Sequence, residues 1–168
     1  MKKIPITKEG FEKLKRELEN IKNVSLPENI RDIEVARAHG DITENAEFQA
    51  AKERQNFLKS RIKELENNLS ESYVVSLNGL TRERVVFGSV VTLSDIGTGK
   101  RITYQLVGPF ESDLNENKIS VTSPIGKALI GKSVGDEVSV LQSKQAAAPG
   151  TQPEAPLVIF HNHRHCVV

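Results

Sequence analysis

Three acidic side chains, Asp41, Glu44 and Glu47, fall within RAHGDITENAEF, residues 37–48, where one helical pattern ends and another begins. Carboxylate oxygens are the ligands that hard cations such as Mg²⁺ prefer. Two acids alone hold Mg²⁺ weakly, because the ion wants octahedral coordination and gives up its water reluctantly. Such a pair works best by completing a site that another molecule already half builds. A plainer reading exists. Asp41 caps the next helix, Glu44 answers it from the third helical position, and acids in a first turn suit the helix dipole. The two readings are compatible, and the local sequence leaves both open.

Three cations flank these acids: Arg37, Lys52 and Arg54. Arg37 follows Glu34 by three residues, the spacing of a helical charge pair. Lys52 has Phe48 and Asn56 four residues away, so it has no acidic partner at that spacing. Contact with a phosphate backbone is the functional alternative to a solvated charged face. His161, His163, His165 and Cys166 suggest a metal cluster but crowd the last eight residues, behind a linker-like stretch. They read as a frayed tail with adventitious metal affinity. No closed Cys/His spacing for zinc, no Gly-rich phosphate loop and no GxSxG or HExxH motif occurs.

The elements that must position the acids are helical. Thr7 can cap a first helix, along which Phe11, Leu14, Leu18 and Ile21 recur on one face. SLPE, residues 25–28, interrupts that face, with Ser25 and Glu28 as a capping box and Pro27 in a first turn; the segments on either side form one kinked helix or two nearly collinear ones, and the sequence leaves both open. The following segment carries Ile30 and Ile33 and ends near His39, with Gly40 as its stop. Phe48, Ala51, Gln55, Leu58, Ile62, Leu65 and Leu69 then step by three and four, a coiled-coil seam with one polar break. No Gly or Pro occurs from 43 to 70. At 1.5 Å per residue such a helix runs roughly 40 Å. A short turn between two long helices makes an antiparallel hairpin.

Beyond Leu69 the pattern changes. RVVFGSVVTL (84–93) reads as a strand with Gly88 as a bulge, SDIGTG (94–99) as a turn, and RITYQLVG (101–108) as the hairpin partner. KISV (118–121) and GDEVSVL (135–141) are further strands. Between them Ser123 caps a short helix that starts at Pro124 and stops at Gly131. PLVIF (156–160) can form a last strand after the linker-like residues 145–156. The expected fold is α+β: an antiparallel helical hairpin over residues 1–75, a small antiparallel β-sheet domain over 76–160, and a disordered tail over 161–168.

Composition limits the partners. The 168 residues carry 23 Lys plus Arg against 22 Asp plus Glu, a net charge of +1, so no overall field drives the chain onto nucleic acid. The one cysteine excludes an internal disulfide framework. No signal-peptide h-region and no run of about 18 apolar residues occurs, so a cytoplasmic protein without a membrane span is expected.

Three separated stretches carry a resemblance. ARAHGDITENAEFQAAKERQ (36–55), SPIGKALIGKSVGDEV (123–138) and IPITKEGFEKLKRELE (4–19) are similar to sequences of the bacterial GreA/GreB transcription elongation factors, and the wording of HGDITENAEF is nearer the GreA branch. The resemblance covers about residues 1–141. It implies a coiled-coil arm and an FKBP-like domain that docks on bacterial RNA polymerase near the rim of the secondary channel. The arm would deliver Asp41 and Glu44 to the polymerase active site, where they help hold a weakly bound Mg²⁺ shared with the polymerase. No cofactor would be held stably by the chain alone. Arg37, and with it Lys52, would contact the backtracked RNA 3′ end. The factor would act as a monomer and would be an accessory to the polymerase's own catalysis. The chain departs from the family pattern after Leu141, where SKQAAAPGTQPEAP intervenes and PLVIFHNHRHCVV replaces the usual closing strand. A sheet without that strand would have an open edge.

Two other function classes compete with transcript cleavage. A channel-binding regulator would enter the same channel without promoting cleavage; its mark is binding without cleavage, and the intact Asp41/Glu44 pair argues against it. A prolyl isomerase would need an aromatic-lined apolar pocket. Only Phe87, Tyr104, Phe110, Phe160 and, near the junction, Tyr73 are available for one.

Overall fold

A computed structural model describes residues 3–39, 45–76, 83–96, 98–140 and 155–164. The chain divides into two compact units. One is helical and comprises Met1–Lys3 and Lys8–Ser72; the other comprises Ile4–Thr7 and Tyr73–Val168.

In the helical unit, α1 (Lys8–Asn20) continues through a π-turn (Ile21–Ser25) directly into α2 (Leu26–Ala38). Of the two arrangements open at SLPE the single continuous helix is the one observed, and the capping box does not form. Ser25 has helical angles, φ −65° and ψ −40°, and makes no side-chain cap bond. Pro27 explains the π-turn. It offers no N–H, and its ring presses on the carbonyl four residues back. The helix widens ahead of it, and the Leu26 N–H donates to the Ile21 carbonyl five residues away.

After the turn, α3 (Ala46–Glu71) runs back antiparallel. Cross-contacts fix the direction, with Ala36 beside Asn45, Asp32 beside Arg54 and Glu17 beside Arg61, and Lys22 pairs with Glu66 as well. Arg61 also bonds Glu64, and its hydrogen bonds to Glu17 and then Glu64 raise its pKa above the ordinary value. The α3 seam is the expected one, with Ala51, Leu58 and Leu65 buried and Phe48, Gln55, Ile62 and Leu69 half-buried. On α2 the buried face is Asn29, Ile33 and Ala36, whereas Ile30 is exposed. Asn29 is fully buried. Its Nδ2 donates to the Ala51 carbonyl at 2.9 Å, and its Oδ1 has no protein partner.

The second unit holds two sheets. A ribbon pairs β1 (Ile4–Ile6) with β2 (Ser72–Val74). The larger sheet comprises β3 (Ser89–Asp95), β4 (Arg101–Val107), β5 (Lys118–Ser120), β6 (Glu137–Val140) and β7 (Ala155–Arg164), in the order β5-β4-β3-β7-β6. The sheet is mixed rather than antiparallel, because β5 runs parallel to β4 with Gln105 opposite Lys118. Residues 108–117 contain two 3₁₀ turns and carry the crossover that a parallel pair requires. Gly88 is not a strand bulge. It sits in a turn just before β3 with φ +81°. The bulge lies instead in the β3–β7 pairing, where Thr92 faces His161 and Leu93 faces Ile159.

The tail expected to be disordered from residue 161 forms strand as far as Arg164. The physical reason is the ladder with β3: Thr92, Val91, Val90 and Ser89 pair with His161 to Arg164, whereas β6 pairs only with residues 155–158. Residues 165–168, including His165 and Cys166, lie outside the described residues.

The core of this unit gathers Val85, Val91, Leu93, Leu106, Ile119, Leu129 and Val138. Ser123 caps α4 (Pro124–Leu129) as expected, accepting the Gly126 N–H at 3.1 Å. A carboxylate ties the N-terminal ribbon down. Glu111 accepts from the Thr7 N–H at 2.8 Å, the Gly108 N–H at 2.9 Å and the Thr7 hydroxyl. Glu111→Ala leaves these donors without their charged acceptor. It is expected to lower stability by about 2 kcal/mol in urea denaturation, with Glu111→Gln recovering part of the loss.

Candidate functional site

Asp41 and Glu44, with Gly40, lie outside the described residues, but the helix ends on both sides of them are described. On the entering side α2 ends at Ala38, and the His39 N–H donates to the Ala36 carbonyl at 3.3 Å. On the leaving side α3 begins at Ala46 with Asn45 as its cap. Asn45 has the extended conformation a cap needs, φ −86° and ψ 94°, and its Oδ1 accepts the Phe48 N–H at 3.0 Å. The helix therefore starts later than the pattern suggested, and its cap is a residue that sequence reasoning passed over. Asn followed by a first-turn Glu47 was the available signal; the acids at 41 and 44 drew the assignment away from it.

Three side-chain contacts cross the hairpin beside the turn. Asn45 Nδ2 donates to the Ala36 carbonyl at 2.6 Å. His39 Nδ1 lies 3.4 Å from the Glu47 carboxylate, with both side chains exposed. The Arg37 guanidinium stands 6.0 Å from the Phe48 ring centroid, within the range of a cation–π contact. Lys52 is exposed on α3, and its Nζ donates to Gln55 at 3.3 Å. Arg54 pairs with Asp32 at 3.5 Å, so its charge is partly committed within the hairpin. Arg37 and Lys52 keep their heads in solvent, where an incoming phosphate backbone could reach them.

Of the histidines, His161 and His163 belong to β7 at positions opposite Thr92 and Val90. Among the described residues no group of three or more His, Cys, Asp or Glu is placed to hold a metal ion. In the second unit an apolar groove of about 540 Å³ is lined by Pro5, Tyr73, Val75, Val86, Phe87, Val121, Lys127 and Ile130. No helix among the described residues is long and apolar enough to cross a membrane.

Residues 4–74 match the family model described as transcription elongation factor, N-terminal, and residues 80–146 match that described as transcription elongation factor, GreA/GreB, C-term. The chain belongs to the GreA/GreB family of transcription elongation factors. Among its relatives, transcription elongation factor GreA of Syntrophus aciditrophicus is 64% identical over 140 residues, covering 83% of this chain and 87% of the relative. GreA of Pelobacter propionicus is 50% identical over 137 residues, covering 82% of this chain and 87% of the relative. The crystal structure of GreA factor homolog 1 of Thermus thermophilus is 29% identical with a TM-score of 0.42, covering 96% of this chain and 99% of that one. The family match ends at residue 146, so β7 lies beyond it.

Proposed function

We propose that the hairpin enters the secondary channel of bacterial RNA polymerase and stimulates the polymerase's own hydrolysis of backtracked RNA. The observation that carries this reading is the cap. Asn45 fills the cap position of α3, so Asp41 and Glu44 are not needed to start that helix. Capping of α3 therefore does not compete with a role for those two acids toward an outside partner.

The donor set fits a shared hard cation: two carboxylates are the right ligand type but too few to hold Mg²⁺ alone. When bound, the shared Mg²⁺ supplies an activated water and stabilises the leaving oxygen, as in two-metal phosphodiester hydrolysis. The chain's own part is to bring Asp41 and Glu44 to that place and to steady the extruded RNA 3′ end with Arg37 and Lys52. No nucleophile from this chain is required, so the factor is an accessory and the polymerase is the enzyme. In this reading the second unit is FKBP-like and docks on the polymerase. Its apolar groove offers the kind of surface a protein partner covers.

The test stalls cognate polymerase in a backtracked complex with 3′-labelled RNA and adds the factor with Mg²⁺. Faster release of short 3′ fragments is the expected result. Binding without faster release would replace this reading with that of a channel regulator lacking cleavage activity.

A further inference from the structure

Among the described residues of the helical unit, Asn29 is the one buried polar side chain, while Ile30 beside it is 43% exposed. Two stripes of α2 compete to face α3. Leu26, Ile30 and Ile33 recur at steps of four and three, and Arg37 follows four residues on. Asn29, Ile33 and Ala36 recur at the same steps, and they are the stripe that is buried. At about 100° per residue the two stripes lie roughly 60° apart around the helix. Apolar burial alone favours the first, which would cover Ile30 and return Asn29 to water. The phase of α2 is set at the π-turn. Leu14 and Ile21 are seven residues apart, Asn29 follows after eight, and the wide turn absorbs the extra residue.

What selects the second stripe is directional. The Asn29 Nδ2 donates to the Ala51 carbonyl at 2.9 Å. Ala51 lies inside α3, so its carbonyl keeps its helical partner and takes the amide on a second lone pair. Its side chain is a single methyl, which lets the amide reach the backbone. Rotation to the first stripe would break this bond and carry Arg37 from the flank of the hairpin toward the seam. In the observed rotation Arg37 is exposed, with its guanidinium 6.0 Å from the Phe48 ring centroid.

We propose that Asn29 is a positioning residue: its bond to α3 sets the rotation of α2 and so keeps Arg37 on the surface that meets RNA. The consequence for RNA rests on the proposed contact by Arg37; the rotation itself does not. Asn29 touches no RNA and acts only through the helix it orients.

Asn29→Ala removes the donor, and Ile30→Gln removes the apolar competitor. Isoleucine methyl resonances of the full-length protein are read with a soluble paramagnetic chelate, which relaxes methyls open to solvent. Helical ellipticity checks folding. In the wild type the Ile30 methyls are relaxed and those of buried Ile33 are protected. In Asn29→Ala the relaxation of Ile30 should fall toward that of Ile33. Stimulated cleavage of backtracked RNA should fall as far as it does in Arg37→Ala, and combining the two substitutions should cost nothing further, because both act through one contact. Ile30→Gln alone should behave as wild type, and added to Asn29→Ala it should restore cleavage. A loss of packing at position 29 alone would not be repaired in this way.

An Ile30 as open to solvent in Asn29→Ala as in the wild type would overturn the proposal. A cleavage loss that Ile30→Gln leaves unrepaired would overturn its link to Arg37. If Arg37→Ala cleaves like wild type, the RNA contact falls and takes the role of Asn29 in cleavage with it, while the methyl measurement still decides whether Asn29 sets the rotation of α2.

Discussion

Asp41→Ala and Glu44→Ala are each expected to lower stimulated RNA cleavage by about a hundredfold or more, while polymerase binding and the thermal midpoint stay near wild type. The size follows from the chemistry. Removing one of only two carboxylates leaves a single weak ligand for a cation that already prefers its water. The silence of the other two readouts follows from Asn45, which holds the start of α3 through its bond to the Phe48 N–H. A nearby acid's helix-dipole interaction contributes only about 0.3–1 kcal/mol at an exposed site. Cleavage is read with labelled backtracked RNA, binding by competition for the channel, and stability by thermal denaturation. A midpoint that falls together with cleavage would mean that the acids serve the fold. Unimpaired cleavage in both variants would remove them from the chemistry altogether.

How much of this was legible depended on which force fixed each element. The α3 seam was legible in full, because burial at steps of three and four leaves a periodic trace. The short helix after Ser123 was equally plain, since a capping hydroxyl, an N1 proline and a closing glycine each act locally. On α2 the trace misled. Ile30 supplied the apolar pattern, yet Asn29 faces α3, paired with a backbone carbonyl that no side-chain pattern reveals. At Pro27 one kinked helix and two collinear ones were both open, and the lost hydrogen bond is absorbed by a π-turn within one continuous run. The start of α3 was displaced for a related reason: Asp41 and Asn45 are both good caps, and the choice between them involves Ala36 on the other helix. The β7 strand was legible only as far as Phe160, because residues 161–164 are held by the backbone ladder to β3, which leaves no side-chain pattern to read.

The motif SPIGKALIG provides the second large effect and reaches the same assay from the opposite side. Gly126→Ala is expected to destabilise the β-rich unit by about 3 kcal/mol, the upper range for overpacking. A Cβ at Gly126 would stand 2.1 Å from the Ser120 carbonyl oxygen and 2.9 Å from the Val121 Cα. That oxygen has little room to retreat. It accepts from the Ser123 N–H at 3.0 Å and the Ser123 hydroxyl at 2.7 Å, and the same hydroxyl oxygen accepts from the Gly126 N–H. Relief therefore means breaking the cap of α4, which carries Leu129 into the core. Gly131 serves a different purpose. A Cβ there meets open space, but φ is +82°, so Gly131→Ala should cost only about 1–2 kcal/mol of backbone strain. Denaturation of the two variants checks the order, and a Gly126→Ala loss no greater than that of Gly131→Ala would contradict the steric argument. In the cleavage assay the two ends of the chain should then separate. Asp41→Ala lowers the rate reached at saturation, because the factor still docks. Gly126→Ala raises the concentration needed to reach it, because fewer molecules hold a docking unit while the acids of every docked molecule are intact.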